Sequence, residues 1–171
     1  MELKLEDLIN DTEVNSVYIE QLVSPLVEEC CKSLDKYVAY IATIINDRDN
    51  PITDEELEDV ILTLPTLMYY AGEVQERLGI KYDVANAVRL KEFNQIMVTA
   101  NGTVAKNKAE AELAIMENDL VKMVYDRAYN IIKQKIQYAF ELLQSAKKIM
   151  TRRMQAFEIT KNSKNYTNLK D

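Results

Sequence analysis

At 171 residues the chain has the length of one domain, or of one domain with an extension, and with 47% hydrophobic residues it has the material for a packed core. Only 3 Gly and 3 Pro occur, so turns are few and regular elements long, which points away from a sheet protein and towards helices. The net charge is −7 and histidine is absent, which removes the commonest general base and metal ligand.

In chain order, residues 5–10 are compatible with a short leading helix. From about Val14, the apolar residues Val17, Leu22, Leu26, Val27, Leu34, Val38, Ile41 and Ile45 recur at helical spacing. Ser24-Pro25 has the form of an N-cap followed by proline at the first helical position, which predicts a main helix from Pro25 to Asn46. Cys30 and Cys31 are neighbours, a spacing that strains a disulfide and, on a helix, turns the side chains about 100° apart. Two free thiols fit a reducing compartment. Asp47-Arg48-Asp49-Asn50-Pro51 is a turn cluster, because the residue before a proline is pushed out of the helical region. Thr53-Asp54-Glu55-Glu56 is a capping box, with Thr53 at the N-cap and Glu56 at N3. The helix it opens carries Leu57, Val60, Ile61, Leu64, Leu67, Met68, Ala71, Val74 and Leu78. Pro65 is expected to kink or split this helix, and Gly79 to sit just past its end. A further helix covers Asp83 to Ala100 and closes at Asn101-Gly102.

Thr103 opens the longest segment, with neither proline nor glycine after it. Leu113, Met116, Leu120, Val124, Ala128, Ile132, Ile136, Ala139, Leu143, Ala146, Met150 and Phe157 form a stripe stepping mostly by three or four. A helix from Thr103 to Phe157 would be roughly 80 Å long. One face of such a rod is more than a single globule of this size covers. Either the helix breaks near Glu117-Asn118-Asp119 or its stripe packs against other copies, and the second is the expectation. Leu120, Val124, Ile132, Ile136, Leu143 and Met150 are then the candidate oligomerisation residues of a homo-oligomer. Residues 159–171 are Asn-, Lys- and Thr-rich and read as a disordered polar tail. The fold class predicted is all-α: long helices in a hairpin or bundle with a very long C-terminal helix and coiled-coil-like packing. Its regions are an acidic helical part (1–80), a long helical part with a basic C-terminal half (81–158) and the tail (159–171).

No run approaches the roughly 18–20 apolar residues of a membrane span. The N-terminus Met1-Glu2-Leu3-Lys4-Leu5-Glu6-Asp7 lacks the basic and apolar regions of a signal peptide. A cytoplasmic protein without a membrane partner is expected. Ser-His and Cys-His nucleophile pairs and zinc sites are excluded by the missing histidines and the pair of cysteines. Glycines at 72, 79 and 102 cannot build a P-loop or a dinucleotide-binding turn. Carboxylates are plentiful, yet no pair is singled out for acid–base work. A binding protein without catalysis, metal or cofactor is the resulting expectation.

Charge is distributed unevenly. Residues 1–80 hold 18 acidic and 5 basic side chains, residues 81–121 hold 6 and 5, and residues 122–171 hold 4 and 11. Lys133, Gln137, Glu141, Gln144, Lys148 and Arg152 follow one polar stripe, flanked by Lys147 and Arg153 and continued by Lys161 and Lys164. Repeated cations on a rigid rod suit phosphate contacts. The interleaved Tyr125, Tyr129 and Tyr138 suit base stacking. The plainer reading is a dipole-favoured basic helix end and packing tyrosines. The acidic front half reads either as a dock for the basic end of a neighbouring copy, giving head-to-tail assembly, or as a phosphate-like surface (Glu55, Glu56, Glu58, Asp59) for a nucleic-acid-binding partner.

The stretch Gly102-Thr103-Val104-Ala105-Lys106-Asn107-Lys108-Ala109-Glu110-Ala111-Glu112-Leu113 runs on through Tyr125-Asp126-Arg127-Ala128-Tyr129 to Ser145-Ala146-Lys147-Lys148-Ile149-Met150-Thr151-Arg152-Arg153-Met154. Over roughly residues 85–158 this pattern resembles small helical proteins of bacteriophage replication and recombination modules, in particular UvsY-type recombination mediators. The resemblance implies a ring-forming helical oligomer that binds single-stranded DNA and helps load a recombinase past a single-strand-binding protein. It implies DNA contact by Lys106 and Lys108 and assembly through the helix bearing Lys147 to Arg153. The acidic first 80 residues have no counterpart in that pattern. The functional expectation is a phage-type accessory protein of DNA recombination or replication, located in the host cytoplasm. Nucleic-acid contacts are expected from Lys106, Lys108, Lys133, Lys147, Lys148, Arg152 and Arg153. An anti-defence inhibitor or DNA mimic acting through the acidic half is the alternative, and a self-associating scaffold or virion component the third reading.

Overall fold

The computed structural model describes the backbone of residues 5–47 and 49–167, and the side chains of residues 13, 15–47 and 49–161. The expectations placed on the side chains of Val14 and Lys164, and on the end of the tail (168–171), lie outside the described residues. The fold is all-α. The described residues form four helices and no strand: α1 (Leu5–Asn46), α2 (Asp54–Thr99), α3 (Val104–Ala114) and α4 (Met116–Thr167). No helix among them is long and apolar enough to cross a membrane.

The chain folds into two compact units, each made from separated stretches: Met1–Cys31 with Gly72–Gln134, and Lys32–Ala71 with Lys135–Asp171. Acidic front and basic back of the sequence therefore meet in both. The first unit buries Val23, Val27 and Cys31 of α1, Leu78 of α2, Ala111 of α3, Ile115 after it, and Val124, Ala128 and Ile132 of α4. The second buries Leu34 and Ile41 of α1, Leu57, Val60, Leu64 and Ala71 of α2, and Ala139, Leu143 and Ala146 of α4. Along α1, α2 and α4 the buried positions recur at intervals of three, four or seven residues, so one stripe of each helix faces the core.

The turn and cap expectations hold where the signal is local. Asp49 and Asn50 donate their backbone N–H groups to Asp47 Oδ1 at 3.0 and 3.1 Å. The Asn50 side chain and these N–H groups hold the Asp47 carboxyl below its usual range. Thr53 N donates to Glu56 Oε2 at 2.7 Å and Glu56 N to Thr53 Oγ1 at 3.2 Å, closing the capping box.

The boundary expectations fare differently. Pro25 does not start a helix but lies inside α1, on its exposed side, while Val23 and Val27 flanking it are buried and carry the helix through. Pro65 is likewise an exposed interior residue of the unsplit α2. Gly79 is also interior to α2 and ends nothing. A Cβ there would lie 3.4 Å from the Tyr129 ring, an ordinary contact, so the position has room for a methyl against α4. Gly102 does close its helix: a Cβ would come within 2.7 Å of Asn107 Oδ1, whose Nδ2 donates to the Ala100 carbonyl at 3.0 Å.

The expected unbroken rod is interrupted at Ile115, two positions before the Glu117-Asn118-Asp119 stretch. Ile115 takes φ −93° and ψ 5° and is completely buried, as is Ala111 before it. No local breaker marks this position. α4 then runs to Thr167, past the expected start of the tail, without a glycine or proline to stop it.

The stripe expected to pack on other copies is largely core. Val124 and Ile132 are buried in the first unit and Leu143 in the second, while Leu120, Ile136 and Met150 are half-buried. The physical reason is that α1 and α2, at 42 and 46 residues, are nearly as long as the 52-residue α4. Stretches of both cover its apolar face within each unit.

Candidate nucleic-acid interface

The candidate cations separate into committed and uncommitted groups. On α3, Thr103 caps the N-terminus by accepting from Lys106 N, and the following turns carry Lys106 and Lys108. Both ammonium groups reach the carboxylate four residues on, Lys106 to Glu110 and Lys108 to Glu112, each at 3.7 Å. These exposed helical pairs are weak, about 0.2–0.5 kcal/mol each, but they place a carboxylate beside each lysine.

Arg153 is committed more firmly. Its Nη1 donates to Asp54 Oδ1 at 2.6 Å and its Nη2 to the Ile52 carbonyl at 2.7 Å. It ties α4 to the first residue of α2 and to the loop before it. Lys135, in the same unit, donates to both oxygens of Asp35 at 2.7 and 2.8 Å.

Lys147, Lys148 and Arg152 remain. All three are exposed on α4 of the second unit, and none makes an ion pair among the described residues. Tyr138, Glu141, Ser145, Lys148 and Arg152 step by three, four, three and four, so they occupy one solvent face opposite the buried Ala139, Leu143 and Ala146. Tyr138 is 67% exposed and offers its ring beside this track. Glu141 lies within the track and accepts from Gln137 Nε2 at 3.1 Å, so the cations cluster at its C-terminal end. Lys133 is exposed on α4 of the first unit.

The other two tyrosines are packing residues. Tyr129 is half-buried against Gly79, and Tyr125 lies under the Lys81 ammonium, 5.6 Å from the ring centroid. Lys122 reciprocates from α4 over Tyr82 of α2 at 5.5 Å. These crossed cation–π contacts, with the Arg89–Asp119 and Asn118–Glu92 bonds, fasten α2 to α4 in the first unit. Sequence reasoning had no signal for them, because each joins residues about 26 to 44 positions apart.

No group of three or more His, Cys, Asp or Glu side chains among the described residues is placed to hold a metal ion. Cys30 and Cys31 form no disulfide, and the second is buried. Burial, with help from the Glu29 charge, pushes the Cys30 thiol up, which lowers its thiolate fraction and its reactivity. The acidic candidates lie together on early α2. Glu55 and Glu58 are exposed, and Asp59 accepts the Tyr37 hydroxyl at 2.5 Å and the Thr63 hydroxyl at 3.2 Å. Comparison of the chain with protein-family models, with curated proteins and with solved structures finds no match.

Proposed function

We propose that the protein is a non-enzymatic accessory factor that binds single-stranded DNA along the solvent face of α4 and works as a homo-oligomer in the cytoplasm. The observation that carries this reading is the set Lys147, Lys148 and Arg152, exposed and without ion-pair partners among the described residues, in a chain where neighbouring cations are committed. Free cations on a rigid helix gain most from phosphate contacts, since nothing within the protein already neutralises them. The exposed Tyr138 ring adds a surface on which a base can stack. Lys106, Lys108 and Arg153 contribute less than the sequence pattern suggests, because their charges are already paired. The phage-type recombination role, with a recombinase or single-strand-binding protein as partner, rests on the sequence resemblance over residues 85–158.

A second reading is an inhibitor whose acidic surface occupies a nucleic-acid-binding protein. It is favoured by α1, which carries seven acidic and no basic residues between Leu5 and Cys31. Binding of labelled single- and double-stranded oligonucleotides decides between them. The DNA-binding reading predicts single-strand binding that survives Glu55→Lys with Glu58→Lys. The mimic predicts no binding at moderate salt.

A further inference from the structure

The last described part of α4 has no cover of its own. Beyond Arg153, which is fixed to Ile52 and Asp54, every described side chain from Met154 to Lys161 is exposed. Met154 and Phe157 are 61% and 72% exposed. They continue the side of α4 that buries Leu143 and Ala146 further up the helix, since steps of three and four hold one face. An apolar helix face thus runs past the end of its own core. Its surroundings are cationic: residues 147–161 contain five basic side chains and one acidic.

The first unit carries the complementary shape. A groove of about 460 Å³ between α1 and α4 is lined by Tyr18, Ile19, Met116, Leu120 and Met123, with Asn15, Glu117 and Asp119 at its polar margin. Tyr18, Met116 and Met123 are 51%, 63% and 45% exposed, which leaves an apolar trough open to solvent. Its setting is anionic. On α1, Glu13 and Glu20 bracket the groove-lining Asn15, Tyr18 and Ile19 with no basic residue between them, and Glu117 lines the groove without an ion pair among the described residues.

We infer that this groove receives the Met154–Phe157 face of α4 from a second copy of the chain. Seating Met154 and Phe157 against Tyr18, Met116 and Met123 removes exposed apolar side chains of both surfaces from water. The opposite charges around the two surfaces select this pairing over groove-to-groove or helix-to-helix contact, where like charges would meet. Because the two surfaces differ, the contact is heterologous, and each added copy leaves one free groove and one free terminus. Repetition therefore yields a ring or a filament. The inference is independent of DNA binding: Lys148 lies nine residues from Phe157, about half a turn round the helix, so docking leaves its face free.

The test is the mass of the full-length protein by light scattering at micromolar concentration. The wild type should exceed the 19.7 kDa monomer and shrink towards it as NaCl rises. Phe157→Asp disables the terminus, and Tyr18→Lys with Glu117→Lys disables the groove. Each protein should be monomeric with unchanged helical circular dichroism. Met154→Asp and Met116→Lys serve the same ends should either variant misfold. Mixed one to one, the two monomeric proteins still hold one good groove and one good terminus between them. They should form a dimer of twice the monomer mass and nothing larger. A monomeric wild type, assembly indifferent to either variant, or failure of the variants to recombine would each overturn the inference.

Discussion

Arg153 and Asp54 are 99 positions apart in the sequence, yet the guanidinium donates to the carboxylate at 2.6 Å and to the Ile52 carbonyl beside it at 2.7 Å. The arginine that reads in the sequence as part of a phosphate-binding cluster is thus a structural tie between α4 and the start of α2. Arg153→Ala should lower stability by about 0.5–1 kcal/mol, the modest value of an ion pair with one exposed partner. It should barely change oligonucleotide affinity. Thermal or urea unfolding checks the first expectation, and a large loss of binding with no loss of stability would contradict both.

Tyr37 and Asp59 give a pH signature. Burial raises the Tyr37 hydroxyl to about 12, and donation to Asp59 adds to the effect. The unfolded chain, with an ordinary tyrosine near 10, therefore releases its proton first as pH rises. Stability from this group is complete below about pH 10 and is lost between about 10 and 12. Urea unfolding should show the wild type more stable than Tyr37→Phe at pH 9. The gap should narrow by pH 11.5. A gap that widens with pH would have the wrong sign.

Two glycines should respond in opposite ways to the same change. Gly79→Ala places a methyl in ordinary contact with the Tyr129 ring at 3.4 Å while improving helix propensity, so it should be neutral or stabilising by up to ~1 kcal/mol. Gly102→Ala forces a methyl to within 2.7 Å of the buried Asn107 amide and should disturb its bond to Ala100. A lower melting temperature is expected for Gly102→Ala alone. Equal effects at both positions would mean that neither close approach matters.

Ile132 and Leu143 belong to the core of their own units, 0% and 4% exposed. Replacing either by alanine should cost roughly 2–5 kcal/mol through the cavity it leaves. The loss should be independent of protein concentration, whereas an intersubunit role would make it shrink as concentration rises.

What the sequence revealed was what short-range chemistry dictates. The Thr53–Glu56 box and the Asp47 turn are closed by bonds spanning two or three residues, and the structure contains them as read. The all-α class followed from scarce glycine and proline and from the periodic apolar stripes. Ser24-Pro25 and Gly79 misled because capping signals are weak beside core packing. Val23, Val27 and Leu78 are buried on either side of or next to them, and burial keeps the helix going. The break at Ile115 has no local marker and follows from tertiary burial. Candidate cations were legible as a group, but their division was not. Asp35, Asp54 and Ile52 lie about 100 positions from the Lys135 and Arg153 side chains they hold.

If Lys148 and Arg152 face nucleic acid while Arg153 faces the protein, the salt dependence of single-stranded oligonucleotide binding must report it. Two lost phosphate contacts should reduce the slope of log affinity against log salt by about 1.4, taking roughly 0.7 for each on a single strand. That reduction, with weaker binding, is expected for Lys148→Glu with Arg152→Glu in a protein that stays folded. A slope identical to that of the wild type, or no binding by the wild type at low salt, would contradict it.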